Sequence, residues 1–204
     1  MSGSNDYFHK TDLHTEELAG HKIHPAWWSR KYEYPWAYQF VEFWQYAADM
    51  GCGWMDRPFK DMIADRVLKE YAIDLDERVL KLQTHGNMTL HQADFTQETF
   101  LQANSIDRVF CLSVLEDLGE KLPDALKEFK RVLQPDGLIV VTFDVWYDKA
   151  EPLGQYPGMD INYFWQSVYQ AGLVPVGEVL ENKENAVFSP DFNLCCYHAV
   201  LEKA

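Results

Sequence analysis

Short apolar runs alternate with helix-forming segments through most of the chain, and this alternation constrains the fold more than any other feature. The apolar runs cover residues 46–50, 69–73, 88–92, 107–112 and 138–143. The last run, Leu-Ile-Val-Val-Thr-Phe, is rich in β-branched residues and bounded by turn residues, which is typical of a buried strand. Strands that alternate with helices form parallel sheets with right-handed crossovers, so the sequence predicts an α/β fold in three layers.

The segments between and after these runs carry the helical signals. Predicted helices cover residues 59–67, 76–84, 97–102 and 122–133. The last is the clearest, since Leu122, Leu126 and Phe129 share one helical face. The tail is predicted to form a helix at 159–171 and strands at 173–180 and 193–201. Because no helix separates the last two strands, we expect a sheet of about seven strands, mostly parallel, with a C-terminal antiparallel hairpin.

The first 44 residues have a different character. Residues 1–25 are polar and contain four histidines, and they predict a mobile arm with a short helix near residues 11–18. Six aromatic residues follow within residues 27–38. They either pack on the sheet edge as a lid or form the wall of a ligand pocket, and the two interpretations are compatible. Pro35 predicts the first turn of a helix that ends near residue 44. We therefore expect an N-terminal aromatic-rich helical arm and lid at 1–44, and a domain at 45–204.

Composition narrows the class of protein. The chain of 204 residues has a formal net charge of −14, which argues against a nucleic-acid partner bound through its phosphates. No apolar run approaches the roughly 20 residues of a membrane span. The start of the chain is polar, and its four cysteines lack the paired spacing of metal ligands. The sequence thus predicts a cytoplasmic protein with reduced thiols, and it requires no metal site.

Glycine and acidic residues follow successive predicted strands. Gly51 and Gly53 follow the first strand, Asp74 follows the second, and Asp94 follows the third. Glycine lets the backbone turn sharply against a ligand, and a carboxylate accepts hydrogen bonds from ribose hydroxyls. Open α/β sheets bind ligands at the carboxyl ends of their strands, so these positions favour a nucleoside site.

A family resemblance rests on these strand ends and on the turn before the last parallel strand. The motifs are Asp49-Met50-Gly51-Cys52-Gly53, Ile73-Asp74, Ala93-Asp94-Phe95, Ser113-Val114-Leu115-Glu116 and Arg131-Val132-Leu133-Gln134-Pro135-Asp136-Gly137. They resemble class I S-adenosylmethionine-dependent methyltransferases of the small-molecule type (methyltransferase type 11-like). The resemblance covers residues 45–145 by motif and the tail by topology. It implies a Rossmann-like sheet with a reversed C-terminal hairpin.

The resemblance also implies a cofactor site for S-adenosyl-L-methionine, with S-adenosyl-L-homocysteine as product. The implied contacts are Asp49, Gly51 and Gly53 at the methionine portion, Asp74 at the ribose, Leu75, Asp94 and Phe95 at the adenine, and Leu112 or Ser113 on the methionine side. Arg30 is a candidate partner for the cofactor carboxylate or for an acidic substrate, and a surface cation is the alternative.

The implied reaction is an in-line displacement in which the protein aligns the reactants and excludes water. The absence of an Asn/Asp-Pro-Pro-Tyr motif after the fourth strand, together with the charge, favours a small-molecule acceptor. Asp117 stands where many family members have histidine, which leaves His21 and His24 as candidate bases. Candidate substrate contacts are Trp28, Tyr32, Asp144, Trp146 and Tyr147.

Two alternatives remain at this point. One is a methyltransferase-like domain that binds a cofactor or a partner without turnover. The other is a nicotinamide-dependent oxidoreductase, which would need a third glycine at position 56, where this chain has aspartate.

Overall fold

A mixed β-sheet runs through the molecule and carries helices on both faces. The computed structural model describes residues 4–55, 58–147 and 157–204. Its strands are β1 (Ser4–Tyr7), β2 (Glu17–Leu18), β3 (His21–Lys22), β4 (Tyr46–Met50), β5 (Lys69–Asp74), β6 (Met88–Gln92), β7 (Ile106–Leu112), β8 (Leu133–Trp146), β9 (Leu173–Pro175), β10 (Glu178–Val179), β11 (Phe188–Ser189) and β12 (Leu194–Lys203). Its α-helices are α1 (Arg30–Tyr38), α2 (Phe59–Ala64), α3 (Leu122–Val132) and α4 (Ile161–Gln170).

Ten of these strands form one sheet, and β2 and β3 form a separate hairpin. The main path is β10-β1-β12-β8-β7-β4-β5-β6, while β9 and β11 each pair with β12. Strands β4 to β8 are parallel, and β12 runs antiparallel to β8. The α/β architecture, the mostly parallel sheet and the reversed C-terminal strand are confirmed. The sheet exceeds seven strands because β1 and the short strands of the tail join it.

Both faces of the central strands are buried, and neighbouring residues point to opposite layers. Ala47 and Phe110 pack in the cluster that includes α1 and α2, whereas Ala48 and Val109 pack in the cluster that includes α3 and α4. Side chains alternate across a strand, so a sheet covered on both faces needs a continuous apolar run. This explains why the central strands are mostly apolar on both faces, with Asp49 and Glu70 as buried exceptions. Among the described residues, no helix has the length and apolarity to cross a membrane.

The first described residues form a buried strand, so the predicted mobile arm is wrong for this part of the chain. β1 pairs antiparallel with β12 and parallel with β10. The Asn5 amide nitrogen donates to the carbonyl oxygens of Val176 and Glu178, both at 3.1 Å, and its Oδ1 accepts from the Val200 N–H at 2.8 Å. The Tyr197 hydroxyl lies 2.9 Å from the Asn5 carbonyl oxygen. Segment 1–44 therefore contributes a strand to the sheet of the domain predicted at 45–204.

Several predicted helices are also corrected. Residues 11–18 form no helix, and β2 begins at Glu17 instead. The helix predicted from Pro35 to residue 44 begins at Arg30 and ends at Tyr38, with Pro35 inside it. The helix predicted at 76–84 is a short 3-10 turn, Glu77–Lys81.

Side chains of α3 explain why residues 97–102 are not helical. The Thr99 backbone N–H and hydroxyl both donate to Glu128 Oε1, at 2.9 and 2.6 Å. Arg131 donates to the Leu101 carbonyl oxygen at 2.7 Å. These side chains take up backbone groups that a local helix would have to pair, and they fix the segment in an irregular conformation.

Candidate active site

The carboxyl ends of β4, β5 and β7 open into a cleft of about 420 Å³. It is lined by Gly51, Gly53, Trp54, Met55, Asp74, Leu75, Asp76, Ser113, Val114 and Asp117. The sequence predicted Gly51, Gly53, Asp74, Leu75 and Ser113 as cofactor contacts, and the structure brings these five together. This is the edge at which an open α/β sheet binds its ligand.

Gly51 gives the cleft its floor. Its φ of +83° lies in the left-handed region, which residues with a Cβ rarely adopt. A Cβ at this position would lie 2.6 Å from Val114 Cγ2. The backbone after β4 can therefore turn beneath Val114 only because residue 51 is glycine.

Asp74 is held by backbone donors and still faces the cleft. Its Oδ2 accepts from the Gly53 N–H at 2.8 Å, and its Oδ1 accepts from the Asp76 N–H at 2.9 Å. Each carboxylate oxygen has two lone-pair sites, so acceptor capacity remains on both oxygens for a pair of hydroxyl groups. Next to it, the Leu75 side chain is 64% exposed and offers an apolar surface to a flat ring. This combination of a carboxylate, an apolar platform and a glycine floor fits the ribose, adenine and methionine parts of S-adenosylmethionine.

The rim of the cleft includes residues that sequence reasoning missed. The Arg78 guanidinium stacks 3.4 Å from the centre of the Trp54 ring, and it also pairs with Asp76. Hydrogen bonds from Arg78 lower the pKa of Asp76 to about 2. The sequence signal for this cluster is weak, since an aromatic residue after a glycine turn and an Asp-x-Arg pair are common.

A buried ion pair from α1 meets the ends of β7 and β8. Arg30 NH1 donates to Glu33 Oε1 and to Ser113 Oγ, both at 2.5 Å. Glu33 Oε2 accepts from the Ser113 hydroxyl at 2.9 Å and from the Thr142 hydroxyl. Burial alone would raise the pKa of Glu33, but Arg30 and these hydroxyl donors hold it below its usual value. Glu33 is therefore a fixed anion that orients Arg30 and Ser113.

Ser113 links this network to the cleft. Its φ is +48°, an unusual value for a residue other than glycine, and its N–H donates to the Thr142 carbonyl oxygen at 2.8 Å. Backbone conformations of this kind persist when the surroundings hold them in place and often occur at functional sites. Here Arg30, Glu33 and Thr142 supply the restraint.

A second cavity, of about 360 Å³, lies beside the cleft under the N-terminal aromatic segment. It is lined by Ala26, Trp27, Trp28, Ser29, Arg30, Met55, Ser113, Glu116, Asp117, Asp144, Pro157, Phe192 and Leu194. Met55, Ser113 and Asp117 line both spaces. A ligand in the cavity would therefore be next to a ligand in the cleft. We call the second space the acceptor cavity below.

Two carboxyl groups in the acceptor cavity have raised pKa values. Burial and then the negative charge of Asp144 raise the pKa of Glu116 well above its usual value. Burial, with the charge of Glu33 added, raises the pKa of Asp144 to about 7, although Arg30 acts in the opposite direction. A group whose pKa is about 7, as that of Asp144 is, can accept or release a proton at physiological pH.

Five residues predicted as cofactor contacts do not line the cleft, and one of them, Arg30, lines the acceptor cavity instead. Phe95 is buried against Phe129, with ring centres 5.5 Å apart. Asp94 accepts from the Thr96 hydroxyl at 2.6 Å and from Gln97 at 3.2 Å. Leu112 and Asp49 are buried within β7 and β4. These side chains support the strand ends from behind.

Some of the predicted substrate contacts line the acceptor cavity, and others do not. Trp28 and Asp144 line the acceptor cavity. Tyr32 is instead buried in a cluster with Phe8. Trp146 and Tyr147 follow Asp144 on the chain but lie outside the lining, with Tyr147 stacked 4.4 Å from Phe188.

The two candidate histidine bases lie elsewhere on the molecule. His21 faces Asp65 at 3.8 Å, in a cavity shared with His85. His24 is exposed, and its Nδ1 accepts from the Ala26 N–H at 3.2 Å. The structure thus places neither ring among the described residues that line the acceptor cavity, where the carboxyl groups are the candidate bases.

Comparison with known proteins agrees with this geometry. Residues 48–141 match the family described as "Methyltransferase domain". No curated protein sequence gives a significant match. Among solved structures, a TehB-like methyltransferase from Corynebacterium glutamicum is similar with a TM-score of 0.63 at 16% identity, covering 84% of this chain and 87% of that one.

Two further structures share the fold at similarly low sequence identity. A methyltransferase from Aquifex aeolicus has a TM-score of 0.61 at 19% identity and covers 88% of this chain and 98% of its own. The cyclase SpnF has a TM-score of 0.66 at 14% identity and covers 98% of this chain and 86% of its own. At these identities the likeness concerns the fold, whereas the family match spans the strand ends that form the cleft. Residues 48–141 therefore match a methyltransferase domain, and most of the chain has the fold of these solved structures.

Proposed function

We propose that the protein transfers the methyl group of S-adenosylmethionine to a small molecule held in the acceptor cavity. The carrying observation is that the cleft and the acceptor cavity meet at Met55, Ser113 and Asp117. In-line displacement needs the acceptor atom and the sulfonium on opposite sides of the methyl carbon. Two spaces that share one wall meet this requirement.

The cleft residues divide the cofactor between them in this proposal. Asp74 accepts from the ribose hydroxyls, Leu75 packs on the adenine, and the turn at Gly51 and Gly53 accommodates the methionine portion. Asp94 takes no part, because it does not line the cleft. When bound, S-adenosylmethionine supplies an activated methyl group on a sulfonium.

The chain contributes alignment and exclusion of water. Arg30 is a positioning residue, since its guanidinium is fixed by Glu33 and holds Ser113 at the junction of the two spaces. Trp27 and Trp28 cover the acceptor cavity from the N-terminal side. The segment around Trp27 and Trp28 thereby acts as the lid, whereas the start of the predicted arm belongs to the sheet. Asp144, whose pKa is about 7, is the group best able to accept a proton from the acceptor.

Calorimetric titration with S-adenosylhomocysteine tests the cofactor half of the proposal. We expect Asp74→Ala to weaken binding about 100-fold, because loss of two hydrogen bonds to a charged group costs about 3 kcal/mol. Asp124→Asn is the matched control. This carboxylate lies on the exposed side of α3, and within the described structure it pairs only with Lys127. Unchanged affinity in Asp74→Ala would refute the ribose assignment.

Transfer of a labelled methyl group to a metabolite panel tests the catalytic half. NAD serves as the negative ligand in the titration, since a nicotinamide-dependent enzyme would bind it and reject the sulfur nucleosides. Tight binding of S-adenosylhomocysteine without turnover on any metabolite would favour the non-catalytic alternative.

A further inference from the structure

The acceptor cavity holds more carboxyl groups than cations. Among its described lining residues Arg30 is the one cation, and Glu33 pairs with it at 2.5 Å. Glu116 and Asp144 face the same space, and a bound cation would favour the ionised forms of these two groups, whose pKa values are raised. Burial raises the pKa of the neighbouring thiols Cys111, Cys195 and Cys196, which keeps them neutral.

Two carboxylate oxygens in this cavity have unused acceptor capacity. Glu116 Oε2 and Asp144 Oδ1 are both shielded from solvent, and neither has a hydrogen-bond partner within residues 4–55, 58–147 and 157–204. A buried polar atom without a partner costs free energy, and such atoms in a ligand cavity are often satisfied by the ligand. In an ionised carboxyl group, such an oxygen can accept a hydrogen bond from an N–H group of a ligand.

The opposite wall of the cavity is aromatic. Trp27, Trp28 and Phe192 line it beside the two carboxyl groups. Indole and phenyl faces attract cations and pack against flat or aliphatic groups. The cavity therefore combines anionic acceptors at one side with an apolar, cation-tolerant surface at the other.

We propose that the methyl acceptor is an amine, bound as an ammonium between Glu116 and Asp144 with its carbon skeleton against Trp27 and Trp28. This inference rests on the proposed methyl transfer and adds the class of acceptor. An anionic acceptor would oppose the ionisation of Glu116 and Asp144, whereas a cationic one favours it. A neutral alcohol has one donor for two unpartnered oxygens, whereas an ammonium has three.

Asp144 also provides a place for the proton that the ammonium must lose before methyl transfer. The ammonium gives one proton to the Asp144 carboxylate, which leaves a neutral nitrogen with a free electron pair. That nitrogen attacks the methyl carbon, an N–C bond forms, and the C–S bond breaks with its electron pair going to sulfur. The products are a methylated ammonium, S-adenosylhomocysteine and the proton on Asp144, which then passes to solvent.

Matched probes test the proposal by calorimetry on the full chain saturated with S-adenosylhomocysteine. The probes are 2-phenylethylamine, 2-phenylethanol and 3-phenylpropionate, which share a ring and differ in the charge of the head group. We expect the amine to bind at least about 10-fold more tightly than the alcohol, and the carboxylate more weakly than either. Amine binding at pH 7 should also release protons, because the pKa values of Asp144 and Glu116 are both raised and a bound cation lowers both.

A double variant separates the acids from the rest of the cavity. In Glu116→Gln with Asp144→Asn, we expect the amine to lose at least about 10-fold in affinity while the alcohol changes less than about twofold. Asp124→Asn again serves as control, and S-adenosylhomocysteine should bind all three proteins equally. Equal affinity of amine and alcohol in the parent protein, preference for the carboxylate, or no amine binding at about 10 mM would overturn the proposal.

Binding of S-adenosylhomocysteine is measured separately from binding of the three probes. Failure of S-adenosylhomocysteine to bind would contradict the proposed function, and the probe series on the free chain would still report the charge preference of the cavity. Normal cofactor binding with the wrong probe order would contradict the amine and leave methyl transfer standing.

Discussion

Asp144→Asn should stabilise the free protein at alkaline pH. Burial raises the pKa of Asp144 from 3.8 to about 7, so the folded state binds more protons than the unfolded chain between these values. The stability that this group contributes is therefore complete below pH 3.8 and is lost as pH rises to about 7. Asparagine has the shape of the protonated acid and does not titrate.

The size of the effect depends on how much of the pH range between the two pKa values an unfolding experiment can cover. Between pH 5 and the pKa near 7 there are about two pH units, over which the free energy of unfolding falls by about 3 kcal/mol. Partial contact with cavity water and the coupling to Glu116 reduce the figure, and we expect about 2 kcal/mol. For a chain of this length, that corresponds to about 4–8 °C in the melting temperature.

Urea unfolding at pH 5, 6, 7 and 8 measures the difference between variant and parent. The gap should widen with pH in favour of Asp144→Asn, at constant dependence on urea concentration. Asp124→Asn, whose side chain is 57% exposed, should show a gap near zero at every pH. A variant less stable than the parent at pH 8, or a gap independent of pH, would mean that the charged Asp144 is already well solvated in the folded protein.

Three further substitutions probe the parts that support the site. Gly51→Ala should lose about 1–3 kcal/mol of unfolding free energy and bind S-adenosylhomocysteine more weakly, because its Cβ would meet Val114 at 2.6 Å; normal binding would refute the close approach. Glu33→Gln should cost about 3–5 kcal/mol by leaving Arg30 buried without its counter-charge, so a loss below about 1 kcal/mol in urea unfolding contradicts the buried pair. Asn5→Ala should cost about 2–4 kcal/mol through three lost hydrogen bonds, and hydrogen exchange should show β10 opening first; uniform exchange would argue against this anchoring role.

The parallel strands and the cleft were predictable because their signals are local. The central strands are mostly apolar, although β4 contains Asp49 and β5 contains Glu70. Gly51 directly follows β4, and Asp74 ends β5. The order of the strands places these ends side by side. Knowledge of the sheet topology was therefore enough to bring five of the predicted contacts into one cleft.

The parts that escaped prediction depend on contacts between distant residues. Ser4–Tyr7 has no apolar run, and it is a strand because Asn5 bonds to a backbone more than 170 residues away. Glu33 reads as an ordinary helix residue until Ser113 and Thr142 donate to it. Phe95 was predicted to face the adenine since it follows Asp94, but the chain turns there and the ring enters the core against Phe129.

The position of β1 within the sheet also has a consequence for how the chain is made. Its neighbours β10 and β12 follow it by more than 170 residues, so β1 can pair only after most of the intervening chain has been synthesised. The polar sequence Ser-Asn-Asp-Tyr suits a strand that has to wait for its partners, because polar segments are less prone to aggregate. Contacts this distant in sequence slow folding. Phe192 and Leu194, which line the acceptor cavity, lie in the same late part of the chain, so the cavity is also complete only at that stage.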